Sequence, residues 1–244
     1  MLENKDIALV TGAGGGIGAA IALELSKQNM HVIITGKTLS SLSETENNIN
    51  SNKGSCTIVQ LDMRDLSGID KLGIEIFNRW GKLDCLVSNA AILGTMTSLE
   101  DYDLSTWDEV MNINLRAPFL LSKSLKIMLE DASLPRLIFT SSGVANIGKA
   151  YWGAYSVSKF GVKGLAEILA DELEATSSIR VFNFDPGATR TNMRASARPA
   201  ENPNTVKSAD ELLNCYLWFF KEESSRAEKN YFEFSELSKI VNST

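Results

Sequence analysis

The chain has 244 residues, 44% of them hydrophobic, and a net charge of −6 from 24 basic and 30 acidic residues. That length and apolar content are enough for a single α/β domain spanning 1–244, and the interspersed acidic excess argues against nucleic acid and anionic membranes as partners. No apolar run is long enough to span a bilayer, and residues 1–6 are polar and lack a signal-peptide pattern, so a cytoplasmic protein is expected.

The first strand is predicted at 7–10. It leads into T-G-A-G-G-G-I-G at 11–18 and then a helix from Ala19. A glycine turn between strand and helix lets backbone N–H groups and the positive end of the helix meet a phosphate. Gly12, Gly14, Gly15, Gly16, Ile17 and Gly18 are therefore candidate nucleotide-binding residues. The second strand is predicted at 32–35, just after His31, the one histidine of the chain. So little histidine counts against hydrolase triads and most zinc sites, and His31 is expected at a strand edge. Gly36-Lys37-Thr38 follows, with no acid for a ribose 2′-hydroxyl. Lys37 suits the 2′-phosphate of NADP instead. The same tripeptide is not the end of a P-loop, because the required earlier glycine falls at His31.

The third strand, 57–60, is followed by Asp62-Met63. Here the acid can accept from an adenine amino group or join Asp65 in capping the next helix. A helix is predicted over 69–80, with Leu72, Ile76 and Trp80 on one face. The fourth strand, 85–88, ends at Asn89-Ala90-Ala91, small residues with an amide able to tie strands together. One long helix or two are expected over 104–129. The fifth strand, 137–140, leads to Ser141-Ser142-Gly143, and a helix is expected over 154–175. The sixth, 180–184, stops at Asp185-Pro186-Gly187. Residues 190–207 show no clear periodicity, and a weak seventh strand is predicted at 231–234. Cys56, Cys85 and Cys215 are widely spaced without a C-x-x-C, which predicts reduced thiols rather than a metal site. This β–α alternation predicts a Rossmann-type, doubly wound parallel sheet with helices on both faces. Its ligand would lie at the C-terminal ends of the strands.

Tyr155 and Lys159 stand four apart in a helical pattern, so they share a face. A nearby ammonium is expected to favour the phenolate and make Tyr155 a usable acid/base. Ser142 can donate to the same substrate oxygen.

Thr11-Gly12-x-x-x-Gly16-Ile17-Gly18, Asn89-Ala90, Asn114, Ser142, Tyr155-x-x-x-Lys159 and Pro186-Gly187, in this order and spacing, resemble the short-chain dehydrogenase/reductase family. The resemblance runs from about residue 6 to 234. Within the family, residues 189–197 and the Pro199/Pro203 segment look most like a small branch of bacterial oxidoreductases, the YciK type. The resemblance implies Tyr155 as catalytic acid/base and Lys159 as the residue that tunes it and binds the nicotinamide ribose. It implies Ser142 at the substrate oxygen and Asn114 in the proton relay. Thr189 and Thr191 would close over the nicotinamide and its phosphates, after Pro186-Gly187. Residues 190–207 would form the substrate lid, in which Arg194 and Arg198 are either solvated or face an acidic substrate. A homodimer or homotetramer is implied as well.

Three departures stand out. Ala91 replaces the family's usual glycine, Gly15 sits where many NADP-preferring members carry a basic residue, and Glu228-Lys229-Asn230 replaces a glycine-rich ending. The expected activity is hydride transfer between NADP(H) and a small carbonyl or secondary alcohol. The alternative is a non-catalytic NADP(H)-binding sensor or scaffold.

Overall fold

In a computed structural model describing residues 5–243, seven parallel strands form one sheet in the order β3-β2-β1-β4-β5-β6-β7. The first four residues of the polar N-terminal stretch, and Thr244, lie outside the described residues. The strands are β1 (Asp6–Thr11), β2 (Met30–Gly36), β3 (Ser55–Gln60), β4 (Cys85–Ser88), β5 (Arg136–Thr140), β6 (Arg180–Asp185) and β7 (Tyr231–Glu233). The order of strand addition reverses between β1 and β4, so the crevice opens at their C-terminal ends. The seventh strand is a residue shorter than predicted, because Phe234 already begins a helix.

Helices α1 (Gly16–Lys27), α2 (Leu39–Ser51), α3 (Leu66–Trp80), α4 (Leu104–Met111), α5 (Ala117–Glu130) and α6 (Gly153–Glu174) connect the strands. Beyond β6 come α7 (Asn192–Ala197), α8 (Leu213–Trp218) and α9 (Phe234–Ser243). Alternate strand residues sort the core into two layers, as period-2 geometry requires. Leu9, Ile33, Leu86, Phe139 and Val181 face α3, α5 and α6, whereas Val10, Ile34, Val87, Ile138 and Phe184 face α1, α8 and α9. Among the described residues, no helix is long and apolar enough to cross a membrane. The three thiols are free, Cys85 and Cys215 buried and Cys56 half-buried.

The long helical stretch is neither one α-helix nor two separate ones. A turn of π-helix, Asn112–Arg116, joins α4 to α5 without a break. Pro118 has no N–H to give the carbonyl four residues back, that of Asn114, so the regular ladder fails there.

His31 is not at an edge. It lies in β2, 3% exposed, with Nδ1 2.6 Å from Ser55 Oγ and Nε2 2.9 Å from Thr57 Oγ1. Burial, helped by the charge of Lys5, lowers its pKa below 6.5. The unfolded chain therefore takes up a proton here that the fold resists, and stability is lost as the pH falls through 6.5. His31→Gln is expected to flatten the drop in melting temperature between about pH 7 and pH 5. An unchanged drop in thermal melts would clear His31 of that role.

Candidate active site

Thr11 fixes the ends of β1 and β4 together. Its hydroxyl accepts from the N–H groups of Asn89 (2.9 Å) and Ala90 (3.0 Å), while Asn89 Nδ2 donates to the Thr11 carbonyl at 3.0 Å. This holds the glycine turn tightly against β4. A Cβ on Gly12, whose φ is +66°, would sit 2.9 Å from Ala90 Cα. The N-terminus of α1 has no side-chain cap, so the first-turn N–H groups remain available to a ligand. Gly15 opens onto space, with nothing within 4 Å of a Cβ there. The chain therefore offers an uncapped, backbone-lined cradle that fits a cofactor pyrophosphate.

From this cradle a cleft of about 570 Å³ runs across the sheet. Of the predicted cofactor residues, Gly12, Gly15, Gly16, Ile17, Asn89, Ala90, Tyr155, Lys159, Pro186, Gly187, Thr189 and Thr191 line it. Gly14 packs on Ser41 and Gly18 on the Gly12 carbonyl, so both shape the turn from behind. Lys37 and Asp62 stand outside the cleft lining. The Asp62 carboxylate is gripped by Arg64 (Nε 3.0 Å to each oxygen, Nη2 2.5 Å), which holds its pKa below the usual carboxylate range. Lys37 Nζ is 4.0 Å from Asp62, with 68% of its side chain exposed. The Met63 side chain is buried in the core, so only its backbone is left to meet a cofactor.

At the other end, Ser142, Tyr155 and Lys159 share the cleft wall. Lys159 Nζ lies 5.7 Å from the Tyr155 ring centroid. The ammonium donates to the Thr140 carbonyl at 2.7 Å. Burial dominates both groups, pushing Tyr155 up to about 12 and Lys159 down to about 8. Tyr155 is thus a protonated acid at neutral pH, the neighbouring Ser142 hydroxyl offsetting the effect of burial only in part.

Asn114 sits in the π-turn and is buried, but it does not line the cleft. Its amide brackets Ile92, accepting from the N–H and donating to the carbonyl at 2.8 Å each, and it donates to Ser158 Oγ at 3.1 Å. Residues 190–207, featureless in sequence, contain α7, capped by the Thr191 hydroxyl, and a short turn at Pro203–Thr205. Arg194 pairs with Glu201 (2.6 and 2.5 Å), whereas Arg198 lies over the Trp152 ring at 5.8 Å. One group in the cleft was missed by the sequence reading. Asp185, taken there only as part of a turn, lines the cleft and is buried. The available signal was an ionisable side chain at the C-terminal end of a parallel strand.

A turn-and-cleft arrangement of this kind on a parallel seven-stranded sheet defines a class. Residues 6–202 match the short chain dehydrogenase family, and the chain belongs to it as an NAD(P)-dependent oxidoreductase. It is similar to the oxidoreductase YciK of Escherichia coli K12, 35% identical over 228 residues that cover 92% of this chain and 90% of that protein. A short chain dehydrogenase of Shigella flexneri 2a, crystallised with NADP, superposes with a TM-score of 0.90 at 34% identity, covering 95% of this chain and 98% of that one. One from Escherichia coli CFT073, crystallised with NADPH, gives 0.88 at 33% identity over 96% and 98%.

Proposed function

We propose that this protein is an NADP(H)-dependent reductase of small carbonyl compounds, running in reverse as an alcohol dehydrogenase. The observation that carries the reading is Ser142, Tyr155 and Lys159 lining the same cleft as the glycine cradle. The bound nicotinamide supplies or accepts the hydride. Tyr155 gives its phenolic proton to the carbonyl oxygen, and Ser142 donates a hydrogen bond to that oxygen. Lys159 places a positive charge beneath the phenol and so favours the phenolate left behind. Asn114 fixes the backbone at Ile92 and the helix at Ser158, holding the floor beneath Lys159. Gly12, Gly15, Gly16, Ile17, Pro186, Gly187, Thr189 and Thr191 would hold the cofactor, and residues 190–207 would cover the substrate.

NADP preference rests on Lys37, whose exposed ammonium is turned to solvent while Arg64 occupies Asp62. Lys37→Glu is expected to raise the NADPH Kd at least about tenfold, or 1.4 kcal/mol, and to leave NADH binding nearly unchanged. Titration followed by nicotinamide fluorescence reads both constants, and equal losses for the two cofactors would refute the assignment. The reading as a whole is tested by NADPH consumption with a panel of small aldehydes, ketones and diketones. NADPH binding without turnover of any of them would favour the sensor or scaffold alternative. A homodimer or homotetramer is supported by the apolar side chains exposed along α4, α5 and α6, among them Leu104, Phe119, Ile127 and Phe160. A cytoplasmic location fits the three free thiols.

A further inference from the structure

Beyond the cofactor cradle and the catalytic side chains, the cleft lining holds apolar groups at Leu93, Val144, Trp152 and Met193. It also holds three cations besides Lys159, namely Lys149, Arg194 and Arg198. The chain as a whole carries a net charge of −6, so this local excess of positive charge runs against the composition. Among the described residues the lining has one acid, Asp185. Its carboxylate is 6% exposed, accepts from the Gly187 N–H at 2.8 Å and faces Gly143, which ties it to the strand end. A cleft lined in this way draws in anions.

The three cations are not equivalent. Arg194 is satisfied within the protein, because its guanidinium makes two hydrogen bonds to the Glu201 carboxylate at 2.6 and 2.5 Å. Arg198 and Lys149 take part in no ion pair among the described residues. Instead, the Arg198 guanidinium lies over the Trp152 indole, 5.8 Å from the ring centroid. That indole also meets the Tyr155 ring, at a centroid separation of 5.9 Å. One aromatic side chain therefore joins the proton donor to an unpaired guanidinium. A guanidinium packed on a ring face keeps its in-plane N–H groups for a carboxylate or phosphate. The backbone of Arg198 is held on both sides, its N–H donating to the Arg194 carbonyl at 2.9 Å and its carbonyl accepting from the Glu201 N–H at 3.0 Å. The Arg194–Glu201 pair braces that same turn, so Arg194 orients Arg198 and leaves it to meet the ligand.

We propose that the substrate is an apolar, ring-bearing carbonyl compound that also carries an oxyanion, a carboxylate or phosphate. Arg198, with Lys149, holds the oxyanion while the apolar body lies along Trp152 and the carbonyl oxygen sits at Tyr155 and Ser142. The inference rests on the reductase reading above and narrows its substrate class. The carbonyl becomes an alcohol with the hydride of NADPH and the Tyr155 proton, and the oxyanion is unchanged.

The test compares NADPH consumption with para-formylbenzoate, para-formylphenyl phosphate and the neutral methyl para-formylbenzoate, and with the longer biphenyl homologues of the acid and the ester. At least one acid should exceed its neutral partner in kcat/KM by about tenfold or more, the worth of a charge-assisted hydrogen bond. The better of benzoate and phosphate identifies the oxyanion. Arg198→Gln should bring the ratio of acid to ester close to one, chiefly by raising KM for the acid, and Arg198→Lys should keep part of the preference. No preference for any acid in the native protein would overturn the proposal, as would a preference unchanged in the Arg198→Gln/Lys149→Gln double variant. If no aldehyde is reduced, calorimetry on the NADP-loaded protein decides, with para-(hydroxymethyl)benzoate and its methyl ester as probes. Tighter binding of the acid that Arg198→Gln removes would support the oxyanion site while the reductase reading falls. Binding of the acid no tighter than that of the ester would overturn the site itself.

Discussion

Tyr155→Phe is expected to cut carbonyl reduction by about 10²- to 10⁴-fold, the usual contribution of a general acid. The substitution removes one oxygen and keeps the ring that packs on Trp152 at 5.9 Å. The fold and the cleft should therefore survive, and the NADPH Kd should change by less than about threefold, under 0.7 kcal/mol. The loss should fall on kcat and kcat/KM alike, because the missing proton matters only in the transition state. The native pH profile supplies a second signature. Tyr155, pushed up to about 12, holds its proton across the neutral range, whereas Lys159 loses its own near 8. Reduction should stay level below that pH and decline above it, because the ammonium that stabilises the departing phenolate disappears. Steady-state kinetics with NADPH and a reducible diketone measure both effects. Near-native turnover in the phenylalanine variant would assign the proton to another group.

Much of the scaffold could be read from the sequence because its strands are buried on both faces. Ile7-Ala8-Leu9-Val10 and Leu86-Val87 contribute to both core layers, so they appear as unbroken apolar runs between turn residues. The glycine turn and the Asn89 tie were legible for a related reason: each demands a particular residue type at a fixed distance from a strand end. What escaped depends on burial and on long-range neighbours. His31 looks like an edge residue until the Ser55 and Thr57 hydroxyls of β3 close over both its nitrogens. Met63 sits at a cofactor position in the chain but turns its side chain into the core. The i, i+4 spacing brings Lys159 close to Tyr155 but says nothing of desolvation, which pushes the tyrosine up and the lysine down. Asp185 reads as a turn residue because its carboxylate does bond the Gly187 N–H two residues on, while its burial in the cleft wall comes from the fold around it.

Gly18→Ala is expected to abolish NADPH binding and to destabilise the fold. A Cβ at this position would lie 2.3 Å from the Gly12 carbonyl oxygen, 2.9 Å from its carbon and 2.7 Å from Asn89 Nδ2. Those atoms have nowhere to retreat. The turn already packs so closely on Ala90 that a Cβ on Gly12 would lie 2.9 Å from Ala90 Cα, and Asn89 is bonded to the Thr11 carbonyl. Relief requires either α1 to lift off the turn or the Thr11–Asn89 tie between β1 and β4 to break. Overpacking of this kind costs about 1–3 kcal/mol, and the same displacement moves the α1 N–H groups away from the phosphate position. A fall in NADPH affinity of at least about 100-fold, or 2.7 kcal/mol, is expected. Thermal unfolding with and without saturating NADPH separates the two effects: the variant should melt lower and lose the rise in melting temperature that ligand binding gives the native protein. Gly164→Ala is the control, on α6 outside the cleft lining and with no atom within 4 Å of the added carbon. It should bind NADPH like the native protein and melt no lower. If Gly18→Ala keeps the NADPH-induced rise, the turn is not the phosphate site.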